Sequence, residues 1–274
     1  MNYKDYQEDF LNKLSGISEK SKEAFLKVPR HLFVKKFSLD GERWVNLSYE
    51  NREFHLPLLY ADRPLLLFDN RAQVSTISQP SLVLKMLDLL ELMEGHKVFE
   101  LGSGSGWNAG LMGEIVGKDG LVMSFEIIDE MARIAEENIN HFDLPQVKIL
   151  TFDGALGYED EAPYDRGIFT AGANDIPRIF FDQIKEGGKL LFVLHTPTQG
   201  DLLLVLRKKI GHFEEEQRVR CQFVPLTGSH AGDDNNKLDE LISAGKLKIY
   251  PKDELPSLGK RERMIQGPSS HYVF

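Results

Sequence analysis

The alternation of apolar and polar positions divides the chain into three stretches. Residues 1 to 27 are charged and carry Phe10, Leu11 and Leu14 on one helical face, with Phe25 and Leu26 further on, which predicts helix. Pro29 disfavours helical backbone at Val28 and ends that segment. Residues 35–60 follow neither period: Trp44, Tyr49, Phe54 and Tyr60 are scattered among charges, which predicts a long surface loop or a short hairpin. A short apolar run follows Tyr60-Ala61-Asp62-Arg63-Pro64-Leu65, then a turn-rich polar stretch at 69–73. Leu82, Val83, Met86, Leu87 and Leu90 recur at helical spacing and predict a helix from Gln79 to about Met93, with Ser78 placed as its N-cap and Pro80 in its first turn.

Short apolar runs then alternate with helical patterns. Strands are predicted at 97–101, 121–127, 147–152, 166–171 and 189–194, and helices at 107–117, 129–141 and 176–185. Such alternation implies a parallel sheet covered on both faces. A two-glycine turn at 185–189 leads into the fifth strand, and runs at 202–207 and 218–226, joined by a polar turn around Gly211, predict a closing hairpin. Beyond Gly228 the chain is polar with balanced charges, including Gly232-Asp233-Asp234-Asn235-Asn236, and its pattern fits a helix at 237–244. The expected organisation is an N-terminal helical segment with an insertion (1–75), an α/β domain (76–228) and a C-terminal extension (229–274).

The chemistry concentrates where the first predicted strand breaks, at Glu100-Leu101-Gly102-Ser103-Gly104-Ser105-Gly106. Glycine admits positive φ and close approach of a ligand, and the following helix start offers free N–H groups and partial positive charge. A dinucleotide site asks for G-x-G-x-x-G, but the position of its last glycine is Trp107, whose indole obstructs close packing. A ligand-free glycine-rich turn is the simpler alternative. Against it stands Glu126, 20 residues after Gly106 at the end of the next strand, where a carboxylate can accept from both ribose hydroxyls. Ligands of open sheets sit at the carboxyl ends of the strands, which puts 102–106, Glu126, Asp153-Gly154 and Thr170-Ala171-Gly172-Ala173 on one rim. Asp153 reads either as a turn residue before Gly154 or as an acceptor for an adenine amino group.

Composition narrows the classes. With 274 residues, 42% of them hydrophobic, the chain can bury a sizeable core. A net charge of −9 argues against a nucleic-acid partner, which calls for a basic surface. The single cysteine, Cys221, permits no intrachain disulfide, and M-N-Y-K-D-Y-Q-E-D-F lacks the apolar core of a signal peptide, so a cytoplasmic location is expected. The longest aliphatic run, 202–206, is too short to span a bilayer, so no membrane partner is expected.

The acid-x-G-x-G-x-G turn resembles the first motif of class I S-adenosylmethionine (SAM) methyltransferases. Together with V-P-R-H-L-F-V (28–34), Y-A-D-R-P-L (60–65), T-I-S-Q-P (76–80), A-P-Y-D-R (162–166), T-A-G-A (170–173) and F-V-P-L-T-G (223–228), it resembles the protein-L-isoaspartate (D-aspartate) O-methyltransferase family, from about Val28 to Gly228. The resemblance implies a doubly wound, mostly parallel seven-stranded sheet with a C-terminal hairpin. It implies SAM as methyl donor, S-adenosylhomocysteine as product, and methylation of the free carboxylate of isoaspartyl residues in damaged proteins or peptides. It makes Ser78, which matches the family's active-site serine, the catalytic residue, and puts Thr76 and Ile77 in a loop closing over SAM. Thr76, Ile77, Ser78, Glu100, Gly102, Ser103, Gly104, Gly106, Glu126, Ile127, Asp153, Gly154 and Thr170 are then the candidate cofactor-binding residues. A carboxylate acceptor is ionised at pH 7, so no general base is needed, and neither a His–Asp pair nor a metal-ligand cluster is expected on the rim.

The chain departs from the family pattern in lacking a glycine just before T-I-S, in the length of 35–59, at Gln199-Gly200-Asp201 where a glutamine pair is frequent, at Asn174 where proline is common, and in the tail. These departures lie on the substrate side. They leave two alternatives: an O-methyltransferase of the same scaffold acting on another peptide carboxylate or a small molecule, and a catalytically silent SAM-binding interaction protein.

Overall fold

The computed structural model describes residues 2–198, 200–230, 236–260 and 262–274. In chain order its elements are α1 (Tyr3–Asn12), α2 (Glu19–Lys27), β1 (Lys36–Ser38), β2 (Trp44–Asn46), α3 (Arg52–Leu59), β3 (Leu65–Asp69), β4 (Val74–Ile77), α4 (Pro80–Leu90), β5 (Lys97–Leu101), α5 (Trp107–Val116), β6 (Leu121–Glu126), α6 (Asp129–Asn140), β7 (Val147–Thr151), β8 (Tyr164–Phe169), α7 (Phe180–Gln183), β9 (Ile184–Thr196), β10 (Gly200–Lys209), β11 (His212–Cys221), β12 (Lys248–Pro251), β13 (Met264–Gln266) and β14 (Ser270–Val273). They form two compact units, Met1–His96 with Ser103–Phe152, and Lys97–Gly102 with Asp153–Phe274. The chain therefore crosses from one unit to the other inside the glycine turn.

In the first unit β6 and β7 pair in parallel, Val122 beside Val147 through Glu126 beside Thr151. Helix α6 has Asp129 and Glu130 at its positive end and buries Met131, Ala132, Ala135 and Ile139, one face at helical spacing. Helix α5 is apolar almost all round and accordingly buried, with Trp107, Leu111 and Met112 at 2%, 0% and 0% exposure. A separate antiparallel sheet runs β2-β1-β3-β4. The stretch read as loop or hairpin thus contains the β1–β2 hairpin and also α3, whose internal Pro57 and mixed composition conceal the helical period.

The second unit runs β5-β8-β9 in parallel and continues antiparallel through β10 and β11. Leu190–Leu194 and Leu202–Leu206 are buried almost without remainder, as strands covered on both faces must be. The helix expected at 176–185 shortens to α7 because strand begins at Ile184. The two glycines read as a turn lie within β9, where the ladder to β8 slips between Tyr164 and Arg166. The described part of the extension adds β12, β14 and β13, in that order, to the outer edge of β11. The helix fitted at 237–244 is a 3-10 helix, Asn236–Ile242, while the polar run at 232–235 and Gln199 lie outside the described residues. Asp175 anchors the extension to the loop after β8. Its buried carboxylate accepts from the Ile176 N–H (2.9 Å), the Ser270 N–H (3.1 Å), the Tyr272 hydroxyl (3.0 Å), the Ser269 N–H and the Ser270 hydroxyl. Burial holds it above the usual carboxylate range despite those donors. No helix of the described residues is long and apolar enough to cross a membrane.

Candidate functional site

In the second unit, the turn begins where β5 ends. Glu100 is fully buried, and Gly102 has φ +93°. A Cβ at Gly102 would lie 2.3 Å from the Thr170 hydroxyl, whose single proton is shared between the carbonyls of Leu101 (2.9 Å) and Gly102 (2.7 Å). Only glycine fits the conformation and the space. Thr170 thus acts as a strut under the turn. Asp153 caps the short 3-10 helix Gly154–Leu156 through the Ala155 N–H (3.1 Å), and its other oxygen accepts from the Ser229 N–H (2.8 Å) and hydroxyl (2.6 Å). Burial raises its pKa, but the Ser229 hydroxyl and N–H, the Ala155 N–H and His230 outweigh it, and the carboxyl lies below its ordinary value. Asp153 is thus a turn residue in this structure, clasped to the loop after β11, with lone pairs left for a further donor.

In the first unit, the turn continues through Ser103, Gly104 and Gly106. Ser103 is pinned by its N–H to the Phe125 carbonyl (3.1 Å) and by its hydroxyl to that of Ser124 (2.6 Å). Gly106, at φ +82°, lies against Ala135 of α6, and a Cβ there would stand 3.1 Å from the Ala135 carbonyl. Glu126 meets the turn directly: one oxygen accepts the Gly104 N–H (2.7 Å), the other the Ile128 N–H (3.0 Å). Burial pushes its pKa up, against the lowering by the N–H groups of Ile128, Gly104 and Ile127. The N–H groups of Gly104 and Ile128 take one position on each oxygen, so acceptor capacity remains on the carboxylate for ribose hydroxyls. These residues fit a nucleoside ligand.

The T-I-S-Q-P segment is held from two sides. Thr76 pairs with Leu66 and Ile77 with Leu65 in the β3–β4 ladder. The fully buried Arg30 guanidinium donates to the carbonyls of Ser78 (3.1 Å), Ile77 (3.3 Å), Arg63 (3.0 Å) and Leu59. Burial lowers its pKa to about 9, so it is charged at neutral pH. The capping role expected of Ser78 is overturned: the N-cap position of α4 is Gln79, with no side-chain cap bond. Asp62 takes that role from outside the helix, accepting the Ser81 N–H (3.0 Å), the Ser81 hydroxyl (2.8 Å) and the Gln79 amide (3.0 Å). The half-buried Ser78 hydroxyl has no hydrogen bond among the described residues. Trp107 explains the rest of V-P-R-H-L-F-V: its indole N–H donates to the Val28 carbonyl (3.0 Å), and the Arg30 guanidinium lies 5.6 Å from its ring. Arg30 and Asp62 lie in quoted motifs, yet their partners are too distant in sequence for the roles to be read there.

A His–Asp pair, not expected from the sequence, stands at the end of β9 and start of β10: His195 Nδ1 is 2.7 Å from Asp201 Oδ1. An open cavity of ≈ 950 Å³ within the first unit, lined by His31, Lys35, Tyr49, Arg52 and Phe142 among others, includes none of the predicted site residues.

The family model "Protein-L-isoaspartate(D-aspartate) O-methyltransferase" matches residues 8–231. The chain is 39% identical over 215 residues to protein-L-isoaspartate O-methyltransferase 1 of Archaeoglobus fulgidus, covering 78% of this chain and 88% of that protein. It superposes on a solved protein-L-isoaspartate O-methyltransferase with TM-score 0.73 at 23% identity, covering 100% of this chain and 87% of the other. A second structure, the Plasmodium falciparum putative protein-L-isoaspartate O-methyltransferase in complex with S-adenosyl-L-homocysteine, gives TM-score 0.64 at 22% identity, over 83% of this chain and 99% of that one. The α/β fold is the one the alternation of strands and helices predicts, and its class I methyltransferase form is the one the resemblance implies.

Proposed function

Because the chain belongs to the protein-L-isoaspartate(D-aspartate) O-methyltransferase family, we propose that it transfers a methyl group from SAM to the free carboxylate of L-isoaspartyl or D-aspartyl residues in damaged proteins. The observation that carries the residue assignment is the Ser78 hydroxyl, left without an internal partner on a segment that Arg30 and the β3–β4 ladder hold in place. When bound, SAM supplies a methyl group activated on a sulfonium. Glu126 would take the ribose hydroxyls, with Ile127 next to it in the chain. The turn residues Glu100, Gly102, Ser103, Gly104 and Gly106 would hold the methionine part, with Thr170 bracing Gly102. Asp153 and Gly154 would border the adenine, and Thr76 and Ile77 would cover the ligand.

The acceptor carboxylate needs no base, being ionised at pH 7. What the protein contributes is alignment of the attacking oxygen with the methyl carbon at about 3–3.5 Å. Ser78 donates a hydrogen bond to that carboxylate or to the adjoining main chain. The methyl ester carries a better leaving group than the free carboxylate, so the neighbouring peptide nitrogen attacks the ester carbonyl and expels methanol, closing a succinimide whose hydrolysis returns some normal aspartate. A cytoplasmic setting without a nucleic-acid partner accords with one cysteine and a net charge of −9.

Ser78→Ala and Ser78→Asp test the assignment. Since Ser78 caps no helix, Ser78→Ala is expected to leave thermal stability nearly unchanged rather than cost the ~1 kcal/mol of a lost cap. Single-turnover methyl transfer is expected to fall about tenfold or more, the weight of a hydrogen bond to a charged group. Ser78→Asp is expected to be worse, because it sets a negative charge against a negative acceptor. Wild-type turnover in folded Ser78→Asp contradicts the assignment.

A further inference from the structure

The His195–Asp201 pair is built like a site and has no use in the reaction as proposed so far. The two residues face each other directly in the β9–β10 ladder. Asp201 is 3% exposed at its side chain and accepts twice, from the ring at Oδ1 (2.7 Å) and from the Phe223 N–H at Oδ2 (2.7 Å). A buried carboxylate already accepting a backbone N–H is an acceptor at its second oxygen too, so His195 Nδ1 carries the proton in that bond. The outer nitrogen, Nε2, belongs to a side chain that is 33% exposed and has no hydrogen bond among the described residues. Asp239, itself bound by the Thr198 hydroxyl (2.6 Å), is an acidic group near enough to interact electrostatically with His195.

Its place on the rim is defined within one unit. The His195 N–H donates to the Ala173 carbonyl (2.8 Å), and a Cβ on Gly172 would lie 3.5 Å from the His195 Cβ and 3.5 Å from Asp201 Oδ2. The ring therefore stands against the T-A-G-A loop, at the carboxyl end of β9. That is two strands along from the glycine turn at the end of β5, about 10 Å at the usual strand spacing. This is the side where the chain departs from the family pattern.

We propose that His195, held by Asp201, is a substrate-binding residue whose Nε2–H donates a hydrogen bond to the carboxylate-bearing residue of the peptide. This rests on the methyl-transfer reading above. The imidazolium form serves both ends: one N–H to the buried Asp201, the other to an anionic acceptor. A peptide carboxylate is the acceptor class that complements it. General-base use of Nε2 would instead suit a hydroxyl acceptor, with the proton passing to the ring as oxygen takes the methyl group.

The test is steady-state kinetics with an isoaspartyl peptide at saturating SAM, together with calorimetric affinity for S-adenosylhomocysteine. His195→Leu is expected to raise KM about 10- to 100-fold, the range of a charge-assisted hydrogen bond, with kcat and S-adenosylhomocysteine affinity little changed. His195→Gln, whose amide N–H reaches similarly, is expected to keep KM within about threefold of wild type, and Asp201→Asn to raise it by freeing the ring. Should His195→Leu fail to fold, His195→Asn, too short to reach, gives the same comparison with Gln. An unchanged KM in folded His195→Leu or His195→Asn overturns the inference and leaves the methyl-transfer reading standing. So does an equal loss of kcat in Leu and Gln at unchanged KM, which marks a general base. A wild type that methylates no isoaspartyl peptide overturns both.

Discussion

Gly102→Ala is expected to weaken S-adenosylhomocysteine binding by about 100-fold, measured by calorimetry on the folded variant. Two costs combine. An L residue held at φ +93° is strained by roughly 1–2 kcal/mol. The new Cβ would stand 2.3 Å from the Thr170 hydroxyl, so Thr170 must rotate away and give up the one proton it shares between the Leu101 and Gly102 carbonyls, worth about 1 kcal/mol. The total, about 2–3 kcal/mol, is about two decades of affinity if it is borne by the turn in its binding conformation. The double variant Gly102→Ala/Thr170→Ala removes the collision but neither the strain nor the loss of the hydroxyl bonds, and is expected to recover no more than a small part. Wild-type affinity in Gly102→Ala would show that the turn does not have to keep this shape.

Arg30→Met is expected to lower the melting temperature by about 6–12 °C, the equivalent of ~3 kcal/mol in a chain of this size. The guanidinium is fully buried and satisfies carbonyls from three separate segments, at Leu59, at Arg63 and at Ile77-Ser78. Methionine fills the volume but leaves those carbonyls without a donor, at ~1–3 kcal/mol for each buried group that water cannot reach. Arg30→Lys is expected to recover little, since one ammonium cannot span the fork. Turnover in surviving folded Arg30→Met should fall and SAM affinity should weaken with it, because the released carbonyls belong to the segment that carries Ser78 and, at Ile77, the cover over the ligand. A melting temperature within about 2 °C of wild type would remove Arg30 as the organising charge.

The parallel strands and helices α5 and α6 were legible because their apolar runs and periods are uninterrupted, and the glycine turn because its conformation demands glycine. What escaped was interaction at a distance. Asp62 caps α4 from 19 residues before Ser81, so the serine adjoining the helix looked like the cap. Helix α3 escaped because Pro57 sits inside it. Strand β9 starts at Ile184, five residues before the strand predicted at 189–194, through glycines that elsewhere make turns. His195 and Asp201 form a pair only because β9 and β10 fold back in register, and no spacing rule announces two residues six apart as partners. The candidate residues were found by motif, while the side chains that hold them became visible only in three dimensions.

The central claim is carboxyl methyl transfer selective for the isomerised residue. It is tested most directly by radiolabelled methyl transfer from SAM to a synthetic isoaspartyl peptide, run beside the same peptide with normal aspartate. The account predicts label incorporated as a base-labile ester in the isoaspartyl peptide and none above background in its aspartyl twin. Equal labelling of both peptides, or of neither, would contradict it.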